Sequence, residues 1–272
     1  MKERFVQIGP SNSIFAIVTE PEVANEDAPA IVLLNAGLMH RIGPFRINVR
    51  IARQVAQLGF TALRIDCSGK GDSPQRTDSE SSRVAVRKDL NVAFDYLQET
   101  SGCRRIIAIG LCSGADDAFD IAVNDERVCG VVLLDGYAYR TFKFYVLRYG
   151  PKLINPLAWI RLIGRSVKRL VRKDHADAMQ DVFGMAFPSK ADYERGLTKI
   201  VANGGSVLIV HSCGWSEYFN YPEQFDDAFP ALSHNPAIAV HFNPRADHTY
   251  SLSSDRRQLI DLIVKWISDR YS

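Results

Sequence analysis

Residues 105–123, which read RIIAIGLCSGADDAFDIAV, constrain the fold of this chain more than any other stretch. An apolar run at 106–109 predicts a buried strand, and the Ala-rich segment after Gly114 has the spacing of a helix. Only Gly110-Leu111-Cys112-Ser113-Gly114 separates the two, so the chain must turn sharply there. A strand that runs directly into a helix is typical of an α/β protein.

The turn matches the pattern G-x-S-x-G, the nucleophile elbow, with Cys112 in the central place. In that pattern the central residue lies on a strained turn, and the flanking glycines let the strand and helix backbones approach closely. Free N–H groups and the dipole at the helix N-terminus favour an anion, so the thiolate of Cys112 is favoured. We expect Cys112 to be a nucleophile. Ser113 is the rival, although its backbone N–H is expected to serve an oxyanion hole.

Composition places the chain among ordinary globular proteins. Its 272 residues are 46% hydrophobic and 24% charged with a net charge of +2, which suits one large α/β domain with an insertion. No apolar run is long enough for a membrane span and no signal-peptide core follows Met1, so we expect a cytoplasmic protein. The five cysteines show no metal-site spacing, so we expect no disulfide framework, metal or cofactor.

Strands and helices alternate along most of the chain. Five further apolar runs predict strands of a mostly parallel sheet, at 30–34, 61–65, 128–134, 206–210 and 237–242. Amphipathic helices are predicted at 46–58, 82–98 and 251–268. The strand pattern stops at 137 and resumes after 200. We therefore predict an α/β core of residues 1–136 and 201–272, flanked by helices, with an inserted helical cap over 137–200.

Four segments in this order resemble those of the α/β-hydrolase superfamily over essentially the whole chain. They are Leu34-Asn35-Ala36-Gly37, residues 66–73, the Cys112 turn, and Ala246-Asp247-His248 before the last helix. The resemblance implies the α/β-hydrolase fold, a nucleophile, an acid and a histidine in that chain order, and an oxyanion hole of backbone N–H groups.

Within that superfamily the sequence looks most similar to serine-aminopeptidase-like hydrolases with an HRxGPxR loop, here residues 40–46. Such enzymes are often found beside natural-product or polysaccharide pathways. Two features depart from the pattern. Cysteine replaces serine at the elbow, as in dienelactone-hydrolase-like and polyester-synthase-like members, and Asn35-Ala36 stands in place of the usual His-Gly.

The proton-transfer residues follow from the same order. His248 is expected to accept the thiol proton and to return one to the leaving group. Two carboxylates compete for the role of the acid, and both fit the chain order. Glu217, after the strand that ends at Val210, has the position that the resemblance implies, and it is favoured over Asp135 at the end of the preceding strand.

The loop after Leu34 is expected to complete the site. The predicted oxyanion donors are the backbone N–H groups of Ser113 and of Gly37 or Leu38. Substrate contacts are expected from three residues farther along this loop, Met39, His40 and Arg46. The glycines at 69 and 71 lack the context of a phosphate-binding loop, so nucleotide binding is not expected.

These residues predict a cysteine-dependent acyl-transfer enzyme, a thioesterase or an acyltransferase, that works through an acyl-Cys112 intermediate on an acyl-thioester or ester. An esterase or lactonase of dienelactone-hydrolase type is the alternative within enzymes. From another class, the chain could be a catalytically silent fold that binds a ligand or partner. The complete set Cys112, His248 and Glu217 argues against the silent fold, whereas the missing His-Gly keeps it open.

Charge in the predicted cap is one-sided. Residues 140–173 contain no Asp or Glu and ten basic residues, namely Arg140, Lys143, Arg148, Lys152, Arg161, Arg165, Lys168, Arg169, Arg172 and Lys173. Such a patch indicates an anionic neighbour, and the hypothesis is that it docks the phosphates of coenzyme A or of an acyl carrier protein. A solvated helix face is the simpler alternative. Interleaved apolar residues allow peripheral membrane contact, and a nucleic-acid partner is not expected.

Overall fold

The structure of this chain is a computed structural model that describes residues 1–76, 79–153 and 187–271. Eight strands lie within these residues: β1 (Lys2–Ile8), β2 (Ile14–Glu20), β3 (Ala30–Leu33), β4 (Ala62–Asp66), β5 (Ile106–Leu111), β6 (Val128–Leu134), β7 (Ser206–Ser212) and β8 (Ile238–Asn243). They form one sheet in the order β1-β2-β4-β3-β5-β6-β7-β8. The strands from β4 to β8 in that order pair in parallel, whereas β1 and β2 form an antiparallel hairpin at one edge.

Helices cover both faces of the sheet. The described helices are α1 (Ile47–Gln57), α2 (Ser82–Ser101), α3 (Ser113–Asn124), α4 (Phe142–Leu153), α5 (Lys190–Ala202), α6 (Gln224–Ala228) and α7 (Ser253–Tyr271). Apolar residues of α1 and α7 pack on one face, and those of α2, α3 and α5 pack on the other. The mostly parallel sheet with helical flanks confirms the predicted fold class.

Successive side chains of a central strand face opposite sides of the sheet, and this explains why the central strands are apolar at every position. On β5, Ile107 and Ile109 face the core shared with α1 and α7, whereas Ile106 and Ala108 face the core shared with α2 and α3. A strand covered on both faces must be apolar at every position, which is why its sequence shows no period of two. The carboxyl ends of β5, β6 and β7 lie side by side, and polar residues follow each of them.

The segment predicted as a cap is described only in part. Helix α4 follows β6, and α5 leads into β7, but residues 154–186 lie outside the described part of the chain. Tyr193, Leu197 and Ile200 of α5 are buried in the same core as α3. The predicted domain boundaries at 137 and 200 therefore stay predictions. None of the helices in the described ranges combines the length and apolar character required to cross a bilayer.

Candidate active site

Cys112 lies at the junction of β5 and α3 in a strained conformation. Its φ of 58° and ψ of −126° fall where residues other than glycine are rarely found. The Cys112 N–H donates to the carbonyl of Leu134 at 2.9 Å, and the Cys112 carbonyl accepts from the Ala115 N–H at 2.8 Å. These bonds to β6 and to the first turn of α3 hold the residue at the tip of the turn.

The two glycines of the elbow are required by the closeness of the neighbouring backbones. A Cβ atom on Gly110 would overlap the carbonyl of Gly114, and a Cβ on Gly114 would overlap the carbonyl of Asn35. Neither backbone can give way without moving a strand or a helix of the core. The strand, the helix and the Asn35 loop thus meet at one point, as the sequence pattern predicts.

His248 lies between β8 and α7, and its ring is fixed from two sides. Nδ1 of His248 lies 2.9 Å from Oδ2 of Asp135, and the Trp215 ring stacks on the imidazole with centroids 5.2 Å apart and planes at 15°. The indole N–H of Trp215 donates in turn to the Gly136 carbonyl at 2.9 Å. Gly214 allows this packing, because a Cβ there would overlap the His248 backbone.

Asp135 follows β6 and is completely buried, with a positive φ of 47°. Its Oδ1 accepts the backbone N–H of Ser212 at 2.6 Å, and its Oδ2 accepts the Ser212 hydroxyl, also at 2.6 Å. A buried carboxylate needs such partners to offset the loss of water. Ser212, at the end of the adjacent strand β7, therefore stabilises Asp135 in the position from which it reaches His248.

The structure places Asp135, not Glu217, against His248, so the preference for Glu217 is corrected. Glu217 is exposed beyond the end of β7, where its Oε1 lies 3.4 Å from a guanidinium nitrogen of Arg148 on α4. Its backbone carbonyl accepts from Arg140 at 2.9 Å. The chain turns away after Ser212, and this turn directs the Glu217 side chain toward α4.

Electrostatics favour a charged imidazole in this site. Burial opposes the charged form of His248, but its hydrogen bonds with Asp135 and Cys112 outweigh burial and raise its pKa to about 10. The nearby His211 shows the opposite behaviour, because complete burial lowers its pKa to about 4. A protonated His248 therefore places a positive charge beside the Cys112 side chain.

The predicted oxyanion donors lie on the two segments that meet at Gly114. Ser113 is the first residue of α3, where backbone N–H groups lack partners within the helix. The Gly37 N–H donates to the Ser113 hydroxyl at 2.9 Å. The Ser113 side chain therefore bonds to the loop after Leu34, here called the oxyanion loop because it carries the predicted donors Gly37 and Leu38. Leu38 and Met39, the next residues, are 80% and 45% exposed.

Asn35 gives this loop its shape. Its side-chain amide donates to Oδ1 of Asp66 and to the Met39 carbonyl, each at 2.8 Å, while its own Oδ1 accepts from the Cys67 N–H at 2.9 Å. Asp66 is fully buried and also accepts from the Arg41 backbone at 2.6 Å. The residue that replaces the usual histidine thus connects the end of β4 to the oxyanion loop.

Two of the residues predicted to contact substrate line a different groove. Nε2 of His40 lies 3.0 Å from Asp72, and His40 and Arg46 face Glu3 and Phe5 of β1. The HRxGPxR loop therefore continues away from Cys112 after Met39. Of the three predicted substrate contacts, Met39 is the one beside the predicted oxyanion donors.

Sequence reasoning missed the residues that support His248 and Asp135. Ser212, Gly214 and Trp215 all lie in the segment His211-Ser212-Cys213-Gly214-Trp215-Ser216-Glu217. In this segment the sequence pattern pointed only to the carboxylate of Glu217. A glycine between a strand end and a tryptophan was a usable signal for close packing. The identity of its neighbour could not be read from the sequence.

No known family model and no curated protein matches the sequence. Solved structures do match over nearly the whole chain. A dienelactone hydrolase from Anabaena variabilis has a TM-score of 0.61 at 16% identity, covering 100% of this chain and 99% of that one. A proline iminopeptidase from Mycobacterium smegmatis has a TM-score of 0.56 at 15% identity, covering 98% of both chains.

Mouse alpha/beta hydrolase domain-containing protein 10 is similar to the same degree, with a TM-score of 0.56 at 16% identity and 99% of both chains covered. Identities this low show a shared fold and leave the chemistry to be argued from the site. The order of the strands, the turn at Cys112 and the similarity to these three structures all indicate the same fold. This chain has the α/β-hydrolase fold.

Proposed function

We propose that this chain is a hydrolase-type enzyme that transfers acyl groups through Cys112, with His248 as the base and Asp135 as the acid. The observation that carries the proposal is the strained turn that presents Cys112 to a His248 ring held by Asp135. Strain of this kind persists where the surrounding structure enforces it, and it is concentrated at active sites. A silent fold would have no need of a buried carboxylate aimed at a histidine.

The chemistry begins with the thiolate. Sγ of Cys112 attacks the carbonyl carbon, and the electron pair of the C=O bond moves to oxygen, where backbone N–H groups of Ser113 and of Gly37 or Leu38 stabilise the charge. The tetrahedral intermediate collapses, the bond to the leaving group breaks, and His248 gives that group its proton. The acyl group is then a thioester on Cys112.

The second half returns the enzyme to its starting state. Neutral His248 takes a proton from water, an alcohol or an amine, which attacks the thioester carbonyl. Collapse of the second tetrahedral intermediate releases the acyl product and the Cys112 thiolate, beside an imidazolium. Water as acceptor makes the enzyme a thioesterase or esterase, and another acceptor makes it an acyltransferase.

An acyl-thioester is the proposed substrate because exchange between two thioesters is nearly balanced in energy. The charge argument for coenzyme A or a carrier protein rests on the cap. Of its basic residues, Arg140 and Arg148 bond to the backbone of 216–217, and Nζ of Lys143 lies 3.3 Å from Glu223. These three residues thus have partners within the chain, and residues 161–173 lie outside the described part.

A salt titration tests this substrate. If the cap docks phosphates, kcat/KM for an acyl-coenzyme A should fall steeply with ionic strength, while that for a small neutral ester should not. Equal behaviour of both substrates would exclude electrostatic docking.

A dienelactone-type lactonase is the second candidate. The likeness to the Anabaena enzyme and the proposed cysteine nucleophile support it. It would be favoured if a small lactone were turned over and the thioester were not.

The nucleophile is tested by alkylation and intact-mass measurement. Iodoacetamide should label Cys112 at least about tenfold faster than Cys213, an exposed thiol that serves as an internal control. Incubation with an acyl-thioester should add one acyl mass to the parent and to Cys213→Ala, but not to Cys112→Ala. An acyl adduct that survives in Cys112→Ala would contradict the proposal.

A further inference from the structure

A groove of about 330 Å³ lies between the β1–β2 hairpin and α1, and the proposed reaction does not use it. Four arginines line it, Arg41, Arg46, Arg53 and Arg64, with Glu3 as the one carboxylate among the lining residues. The HRxGPxR loop supplies two of those arginines and His40. This groove is therefore the place where the part of the loop beyond Met39 could act.

Arg64 is the deepest of these charges. It lies on β4 and is only 5% exposed, and its Nε has no hydrogen-bond partner within the described ranges. One terminal nitrogen donates to Oε1 of Glu3 at 2.8 Å. Burial, and repulsion from Arg53, Arg41 and Arg46, lower the pKa of Arg64 despite the attraction of Glu3. A guanidinium buried with so little compensation is costly unless an anion is added.

Glu3 cannot neutralise the groove, because it serves two arginines. Arg53 of α1 donates to its Oε2 at 2.7 Å while Arg64 occupies Oε1. Arg41 does not depend on Glu3 for charge compensation, since its guanidinium contacts the carboxylates of Asp66 and Asp72. One positive charge of the Glu3 cluster therefore remains uncompensated, before Arg46 is counted.

Arg46 is exposed and adds a further positive charge beside this cluster, at the N-terminus of α1. It has a left-handed φ of 62° directly before α1, and Phe45 before it has a φ of 48°. Two successive strained residues other than glycine cost free energy, and a cation at a helix N-terminus is repelled by the helix dipole. Within the described ranges no carboxylate pairs with the Arg46 guanidinium. Such a cost is explained if Arg46 is positioned for a ligand.

We propose that this groove binds the phosphate group of a small organic phosphate, held by Arg46, Arg53 and Arg64. Guanidinium forks match the oxygens of a phosphate, and a dianion compensates two positive charges. The volume exceeds that of a bare ion and falls at the lower end of the range for small-molecule sites. Phe5 and Ile42, which are 50% and 42% exposed on its walls, offer apolar surface for the organic part.

The test is calorimetric titration of the full chain with phenyl phosphate at constant ionic strength. Arg46→Gln should weaken binding about tenfold, because one charge-assisted contact is lost. Arg104→Gln removes the same charge from an exposed position between α2 and β5 and should leave the affinity within about twofold. Inorganic phosphate should bind more weakly than phenyl phosphate, and phenol should not bind.

Glu3→Gln gives a result of opposite sign. Loss of this carboxylate frees Arg53 and Arg64, so phenyl phosphate should bind at least about threefold more tightly, even if the variant is less stable. A purely structural Glu3 cluster predicts no binding in any variant. Absence of binding to the parent, equal weakening by Arg46→Gln and Arg104→Gln, or weaker binding by a folded Glu3→Gln would each overturn the proposal. Catalysis by Cys112 does not enter any of these measurements.

Discussion

The hydroxyl of Ser113 accepts a hydrogen bond from the backbone N–H of Gly37 at 2.9 Å. This bond joins the residue after Cys112 to the loop that carries the second predicted oxyanion donor. It holds that loop close to α3, and it also occupies an N–H that the proposed mechanism could direct at a carbonyl oxygen. Ser113 is therefore expected to position the loop and not to attack the substrate.

Removal of the Ser113 hydroxyl tests that role. We expect Ser113→Ala to keep kcat/KM within about tenfold of the parent, because the backbone N–H of residue 113 remains and the Gly37 N–H is released. Cys112→Ala should be inactive and folded. Initial rates on an acyl-thioester, with circular dichroism as the control for folding, give the comparison. An inactive Ser113→Ala beside an active Cys112→Ala would make Ser113 the nucleophile.

The choice of acid is tested by neutralising each carboxylate. Asp135→Asn should lower kcat about a hundredfold or more, because the amide cannot stabilise the His248 imidazolium, although a thiolate needs this help less than a serine does. Glu217→Gln is the matched control and should stay within about twofold. Thermal melts of both variants separate loss of chemistry from loss of folding. The assignment fails if Glu217→Gln shows the larger loss.

Gly214 is predicted to support catalysis only because it has no side chain. A methyl group there would overlap the His248 backbone, so Gly214→Ala should displace the ring from Asp135 and lower kcat by about two orders of magnitude. Gly150→Ala on α4 is the control, since a Cβ there meets no atom of the described residues within 4 Å. Full activity in Gly214→Ala would show that His248 tolerates a shift of its backbone.

The pH dependence of kcat/KM should report the deprotonation of the His248 imidazolium. Its raised pKa, about 10, means that the imidazolium persists from neutral pH upward and deprotonates only as pH passes about 10. For a short alkyl ester, whose leaving group needs a proton, kcat/KM should therefore decline on the alkaline side near that pH. In Asp135→Asn the alkaline limb should move to lower pH. A limb near pH 6.5 in the parent would contradict the ion pair.

His211 should make the fold sensitive to acid. The folded pKa, about 4, lies below the ordinary value of 6.5, so between these values the unfolded chain binds a proton that the folded chain does not. Stability should thus fall by up to about 3 kcal/mol as pH drops from 6.5 to 4. His211→Leu should lose this part of the pH dependence. Urea denaturation at several pH values measures it, and identical slopes in the two proteins would refute the assignment.

Sequence alone determined the features that depend on neighbouring residues. The turn at Cys112 could be predicted because strand, glycines and helix are contiguous, and the overlap that a Cβ on Gly110 would cause is already implied by that arrangement. The apolar runs predicted a buried parallel sheet for the same reason, since both faces of such a strand must be covered. The order of these elements was enough to indicate the fold.

Tertiary structure alone decided which distant side chains meet. Asp135 and His248 are separated by 113 positions. They come together because β6, β7 and β8 are successive neighbours in the sheet and Ser212, at the end of β7, directs the carboxylate. The sequence favoured Glu217 over Asp135, since the direction of the chain after Ser212 is not a local property. Arg46 likewise lies in the groove with Glu3 because the β1–β2 hairpin packs beside α1. Local periodicity specifies which residues are buried, but the packing of whole elements specifies which polar groups face one another.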